Sequence, residues 1–487
     1  MAIKRYYATK DNTITNAFKA NLSTRGVSGN MGQSDILEVF SIYAQANTSS
    51  SELSRVLIQF DTDSINTDRT NGIIPASGSV NFFLRMYNAA HSQTTPKDFT
   101  LVATAVSRSW EEGLGLDMEN YSDEDACNWI SATDATAWSS QGGDYITGTT
   151  ASPFEYTFKQ DFDTGFENLE IDVSHLVEDW ISGEGNLINY GFGVQLTSSD
   201  ESGTSSYYTK KFFARGSEFF HKRPIIEARW DDSKKDNRGD FYLSSSLVPA
   251  SDNLMNLYLY NVVRGQLTDI PAVSTGKMLV NIYSGSTSPA GDKLFLPYGG
   301  GVAATGDVNI TASHVETGIY SCSFAYVSSS ITKIFDVWHS ASIEYHTGSG
   351  VSIETFNSQE YNLDQKYVSK ITNLKTNYST QETARFRLFV RAKNFQPNIY
   401  TVANQDIENT IVDNAYYQVK RSNDGLSVIE YGTGSLNHTR LSYDVSGSYF
   451  DLDIGMLEAE NSYQIKFVYL INGSYVEQPE TFRFNVV

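Results

Sequence analysis

Apolar side chains recur every second residue along most of this chain, a period that suits a pleated strand with one buried face. Val80, Phe82, Leu84 and Met86 alternate with Asn81, Phe83, Arg85 and Tyr87. Tyr190, Phe192, Val194 and Leu196 alternate with Gly191, Gly193, Gln195 and Thr197. Phe386, Leu388 and Val390 are set between Arg385, Arg387 and Arg391, and Tyr463, Ile465, Phe467 and Tyr469 repeat the pattern. Each run predicts a half-buried antiparallel strand. The pair Asn472-Gly473 supplies the two positive-φ residues of a type I′ hairpin and is followed by another strand-like run.

One segment departs from that period. In Ser174–Ser182, Leu176, Val177, Trp180 and Ile181 fall on one helical face, with Asp172 or Ser174 to cap the start and Gly183 and Gly185 to stop it. A short helix across a sandwich is expected there, and strand or loop everywhere else. Many short strands without long helices predict an all-β chain. The expected architecture is an N-terminal jelly-roll-like β-sandwich followed by two smaller immunoglobulin-like β-sandwich domains.

A chain of 487 residues exceeds the ~250–300 at which a single core stops growing, so several domains are expected. The clearest boundary is the charge-rich run Asp231–Asp240, read as a solvated linker because it holds no apolar residue. A second falls around Leu363–Lys370. The expected domains are 1–232, 240–365 and 366–487. No fixed-period repeat of ~20–50 residues is present, which argues against a solenoid, a propeller or a right-handed β-helix.

Lys and Arg number 36 against 57 Asp and Glu, a formal charge of −21. That balance disfavours a broad nucleic-acid-binding surface, which needs clustered cations. No apolar run reaches the ~20 residues of a membrane helix, so no membrane partner is expected. Met1–Tyr7 opens with Lys4 and Arg5 but no apolar h-region follows, so no secretory signal is expected. Two cysteines, Cys127 and Cys322, are too few for a disulfide framework or a cysteine-based zinc site and are read as partly buried thiols.

Enzymatic motifs are missing: there is no HExxH, GxSxG, P-loop or CxxC. Gly299-Gly300-Gly301 lies between strand-like runs and opens no helix, so dinucleotide binding is not expected. Seven histidines are scattered, and a strand register places the nearest pair, His339 and His346, on opposite faces. With 57 acids, a carboxylate pair suited to glycoside hydrolysis can be drawn anywhere and carries no weight. Tyr207-Tyr208 and Tyr416-Tyr417 must each turn one ring outward if they lie in strands, towards a sugar or a protein.

One local feature stands out. Ser109–Phe158 carries ten acidic residues and no Lys or Arg. Closely spaced oxygen ligands on a loop are what calcium takes, and Asp117, Glu119, Asp123 and Asp125 are the candidate ligands, although the spacing is not that of an EF-hand. The other readings are a solvated loop or an acidic face that docks on a basic partner. No other cofactor is expected.

The first 230 residues resemble a DNRLRE-type β-sandwich, a jelly-roll module akin to carbohydrate-binding domains. The resemblance rests on Arg55–Asp61, Gly78–Leu84, Ser109–Gly113 followed by Asn128-Trp129, and Ile171–Gly183, and is completed by Tyr190–Phe192 and Arg223–Glu227. Tyr7–Phe18, Glu382–Arg391, Asn398–Ala403 and Thr439–Asp453 resemble virion structural proteins of marine tailed phages. That second resemblance implies a particle component assembled in the host cytoplasm, at the neck, collar, tail or capsid surface. Its partners would be other virion proteins, in a homo-oligomer or symmetric array, and it brings no catalytic residues with it. The jelly roll on its own supports a second reading, a glycan-binding receptor or adhesion module with a host glycan as ligand. An enzyme that degrades host polysaccharide is a third, and no residue pattern points to it.

Overall fold

The computed structural model describes residues 2–92, 95–122, 126–146, 156–183, 187–245, 247, 253–294, 309–326, 330–354, 365–395, 399 and 409–487. The chain is all-β and forms two compact units, Ala2–Trp230 and Asp231–Val487.

The first unit is a jelly-roll-like sandwich whose opening strand serves both layers. Within Ile3–Thr15, residues Ile3–Tyr7 pair with the strand Ile225–Arg229, and after a bulge between Ala8 and Lys10 the rest pairs with Ser51–Phe60. One sheet continues through Asn81–Met86 to Leu169–Asp172. The other runs Thr157–Phe162, Phe99–Ala105, Phe192–Leu196, Ser51–Phe60, with Ile36–Tyr43 and Tyr207–Phe213 attached. Phe82, Leu84 and Met86 from one layer meet Ile58, Ala103 and Phe192 from the other, all fully buried. Removing that apolar area from water is the main stabilising term.

The helix Ser174–Ser182 forms as its spacing predicts and buries Leu176, Val177 and Trp180. Its start differs from expectation. Val173 occupies the cap position without a side-chain bond, Asp172 accepts the Ser174 N–H at 2.9 Å, and the Ser174 hydroxyl accepts the Phe82 N–H. Gly183 ends the helix at φ 69°. A second helix, Thr62–Thr70, stands where only strand and loop were expected. Asp61 caps it, and Ile65 and Thr62 are its buried residues, too few to give a visible apolar stripe.

The second unit begins with a seven-stranded sheet in the order Met255–Tyr260, Ile319–Phe324, Asn309–Glu316, Met278–Ser284, Lys333–Ser340, Ile343–Thr347, with Val351–Ser352 added beside Lys333–Ser340. Asn309–Glu316 pairs first with Met278–Asn281 and then with Ile319–Ser321, so one strand joins both halves of the sheet. The sheet folds over a core that includes Leu257, Val280, Ile310, Tyr320 and Trp338.

After Lys366 come two sheets. One runs Tyr367–Ile371, Thr383–Ala392, Gly447–Asp453, Ser442–Asp444, and the other Asn377–Tyr378, Phe482–Val486, Asn461–Ile471, Ala415–Arg421, Ser427–Ile429. This is the A-B-E-D against G-F-C division of an immunoglobulin sandwich. Its first strand is split, so that Asn377–Tyr378 runs parallel to the last strand in the second sheet. Tyr463, Ile465, Phe467 and Tyr469 are all fully buried, and Asn472 and Gly473 have the positive φ values, 49° and 80°, that the hairpin requires.

Candidate functional site

The acidic stretch comes first because the candidate calcium ligands lie in it. It is not a free loop. Described residues between Val106 and Tyr145 cover the outer face of the larger sheet of the first unit, where Trp110, Trp129 and Trp138 form a second core with Ile14, Leu57 and Cys127. Two buried carboxamides hold it down. Asn12 Nδ2 donates to the Cys127 carbonyl at 3.0 Å, and Asn30 Nδ2 donates to the carbonyls of Glu112 and Cys127 at 2.8 and 2.7 Å. Gly115 passes so close to Asn30 that a Cβ would lie 2.0 Å from the Asn30 carbonyl oxygen, and the tight path turns Leu114 and Leu116 outward.

Four of the described acids of this stretch have internal roles. Glu112 makes a bidentate ion pair with Arg215 at 2.6 and 2.5 Å, and Asp144 accepts the Ser139 and Ser140 N–H groups beside Arg108. Asp117 and Glu119 share the short strand Asp117–Ser122, paired with Gly29–Asn30. Asp117 accepts the Glu119 N–H at 2.9 Å, and Glu119 accepts the Ala20 N–H at 3.1 Å. Asp123 and Asp125 lie outside the described residues, as do Gly299-Gly300-Gly301. No cluster of three or more His, Cys, Asp or Glu arranged to hold a metal occurs among the described residues.

Behind Glu112 lies Asp11, fully buried, with Oδ2 accepting the Arg215 N–H at 2.6 Å and Oδ1 without a hydrogen-bond partner among the described residues. Burial above all, with Glu112 adding to it against the Arg215 N–H, pushes the Asp11 carboxyl up to about 7.

Three other polar groupings look like sites at first sight. On one sheet face of the first unit, Glu227 receives Arg5 at 2.7 Å, Arg229 at 2.7 Å and Arg85 at 3.1 Å, while Glu170 takes the far ends of Arg229 and Arg85. Burial opposes ionisation there, and Arg85, Arg5 and Arg229 overcome it and hold Glu227 well below the usual carboxylate range. Beside the helix, the Tyr156 hydroxyl donates to Asp179 at 2.7 Å and His175 lies 3.4 Å from the same oxygen. In the second unit Asp336, fully buried, receives Arg238 through two bonds of 2.7 Å and the Trp338 indole N–H at 2.6 Å. Each grouping pins one element to another.

The Arg238 contact corrects the linker reading. Asp236 and Asn237 are buried, so the charge run is not solvated. Residues Lys234–Asp236 lie parallel to the strand Ser442–Asp444: the Tyr443 N–H donates to the Lys234 carbonyl at 2.9 Å and the Asp236 N–H to the Tyr443 carbonyl at 3.1 Å. Lys235 pairs with Asp413, Lys234 with Glu316, and Asn237 bonds both the Tyr443 hydroxyl and the Asn256 N–H. One short segment therefore clasps the seven-stranded sheet to the immunoglobulin-type sandwich and covers an open sheet edge. A charge run lacking apolar residues can still be ordered when each charge meets a partner far away in sequence.

The paired tyrosines divide. Tyr208 is exposed, whereas Tyr416 and Tyr417 are both buried, Tyr416 beneath Tyr475 at 6.0 Å between ring centroids. Across neighbouring strands, His339 pairs with Glu344 and His346 with Trp338, so the two histidines do not meet. Cys127 and Cys322 are free thiols, buried more deeply than expected.

The alternation of Arg385, Arg387 and Arg391 was legible, but not its significance. Residues 365–393 hold seven Lys and Arg and one acid, in a chain of charge −21. That local excess was the available signal. Phe386, Leu388 and Val390 enter the core, so the odd-numbered residues face outward. Arg385 and Arg387 pair with Asp451 and Asp444. Further along, Phe389 is set opposite exposed Lys370, and Arg391 opposite Val368.

No known protein family and no curated protein matches this chain. Among solved structures, a marsupial T cell receptor is 10% identical over 51% of this chain and 70% of its own, with a TM-score of 0.16. Trypsin-activated alpha-2-macroglobulin from Escherichia coli is 9% identical over 88% of this chain and 23% of its own, with a TM-score of 0.17. The fold assignment rests on the strand order given above.

Proposed function

We propose that this chain is a structural component of a tailed-phage virion, a neck, collar, tail or capsid-surface protein that acts through protein–protein contacts and performs no catalysis. The observation that carries the reading is the clasp at Lys234–Arg238, which ties two β structures together through the buried Arg238–Asp336 ion pair, partly exposed lysine pairs and backbone bonds. A scaffold that must hold attachment surfaces at fixed separation needs such ties, and the other polar groupings likewise tie strand to strand. The resemblance to marine-phage virion proteins supplies the setting: assembly in the host cytoplasm beside other virion proteins, with neither nucleic acid nor membrane as a partner.

Mass spectrometry and antibody labelling of purified particles that encode this chain test the reading. A single defined position on the particle is expected, and absence from mature particles overturns it. The purified chain releases no reducing sugars from host envelope glycans, and such release would make it an enzyme. The reading assigns no cofactor: a chelator should leave the thermal transition where it is, and a drop would reveal a bound metal ion.

A further inference from the structure

We propose that the basic sheet face around Lys370, Phe389 and Arg391 binds a second copy of this chain, on the acidic, leucine-tipped surface formed by Glu111, Leu114, Leu116 and Asp134. The proposal deepens the structural reading above and rests on it.

The two surfaces are complementary in sign and kind. Lys370, Arg391 and Lys393 form no ion pair or side-chain hydrogen bond among the described residues, unlike Arg385 and Arg387 on the same strand. Lys370 and Lys393 are exposed, and Phe389 and Val368 lie half-buried between the cations. The opposing surface has the reverse character. Glu111 and Asp134 are exposed neighbours, since Glu111 Oε2 accepts the Asp134 N–H at 3.2 Å. Leu114 is 76% exposed and Leu116 49%, held outward by the close approach of Gly115 to Asn30. Ser109–Phe158 itself contributes no Lys or Arg, and two arginines that reach it, Arg215 and Arg108, are held by Glu112 and Asp144. Leucines seated between Phe389 and Val368, ringed by opposite charges, give the apolar centre and charged rim of a protein interface.

The signs also restrict the pairing. A basic face repels its own copy, and so does an acidic one, so like faces do not meet. Joining one to the other builds a reciprocal two-fold pair, a ring or an open filament.

Sedimentation velocity on the full chain tests this, using the charge-reversed chains K370E/R391E and E111K/D134K, with circular dichroism to confirm folding. The unaltered chain should associate at low salt and separate into monomers when salt shortens screening below ~10 Å. Each reversed chain should associate at least about a hundredfold more weakly, the scale set by losing close charge pairs. An equimolar mixture of the two reversed chains should assemble again, because each then offers what the other lacks. A monomeric unaltered chain at low salt overturns the proposal, and so does a mixture that fails to assemble. If only K370E/R391E loses association, the basic face takes some other acidic surface and the partner assignment fails. Heparin binding to the unaltered chain without self-association would assign the face to a polyanion instead. Loss of this proposal leaves the virion reading standing, since that reading is judged on the particle.

Discussion

Two arginine-rich sheet faces in this molecule have similar side chains and opposite situations. In the first unit Arg5, Arg85 and Arg229 surround Glu227 and Glu170, and the side chains of all three cations are buried. In the immunoglobulin-type sandwich, carboxylates reach Arg385 and Arg387, but among the described residues none pairs with Arg391 or Lys370. The difference lies in the neighbouring strands. Glu227 is two residues from Arg229 on its own strand and directly opposite Arg5 on one side and Phe83 on the other. Lys370 and Arg391, by contrast, sit opposite Phe389 and Val368. Whether a basic strand becomes an internal tie or an open surface is set by the acids across the ladder, not by the cations.

The largest effect should come from breaking the closed face. Glu227→Gln removes the carboxylate that three buried guanidinium groups share, and should destabilise the first unit by about 3–5 kcal/mol, read from its urea midpoint. The same tie should weaken in acid: the folded pKa of Glu227 is depressed, so its contribution is present above the unfolded carboxylate value and lost as pH falls.

Next in size is the clasp. Asp336→Asn removes the bidentate partner of Arg238 and should lower stability by about 2–3 kcal/mol. Limited proteolysis should then cut within 231–240, where the unaltered chain resists. Resistance in the variant would mean that the backbone bonds to Tyr443 suffice.

Asp11 should behave in the opposite sense to Glu227. Its folded pKa is raised to about 7, so the stability it confers is present in acid and lost as pH rises through 7. Asp11→Asn should therefore stabilise the chain by about 1–3 kcal/mol at pH 8, and by much less at pH 5, since a tenfold change in proton affinity is worth about 1.4 kcal/mol. An equal effect at both pH values would remove burial of the charge as the cause. The smallest change in stability belongs to the open face: K370E/R391E should stay within about 0.5 kcal/mol of the unaltered chain.

Strands and hairpin were legible because their signal is local. Tyr463 to Tyr469 alternates without a break, and Asn472-Gly473 has one natural conformation. What the sequence hid depends on distant partners. Arg85 occupies an alternation position that reads as solvent-facing, yet Glu227 and Glu170 bury it. Asn237 and Arg238 read as linker because Tyr443 and Asp336, which hold them, lie about a hundred residues or more away in the chain. The helix Thr62–Thr70 had only the Asp61 cap to announce it, its apolar content being Ile65. The acidic stretch read as loop because its three tryptophans are spaced irregularly, and packing rather than periodicity makes them a core.

The most direct test of the contrast is sedimentation velocity at low salt on E170Q and K370E/R391E side by side with the unaltered chain. Glu170 is partly exposed and contacts Arg85 and Arg229, so E170Q weakens the closed face without removing its centre. The account predicts that E170Q associates like the unaltered chain while K370E/R391E sediments as a monomer. Equal association of all three chains, or loss of association in E170Q alone, would contradict it.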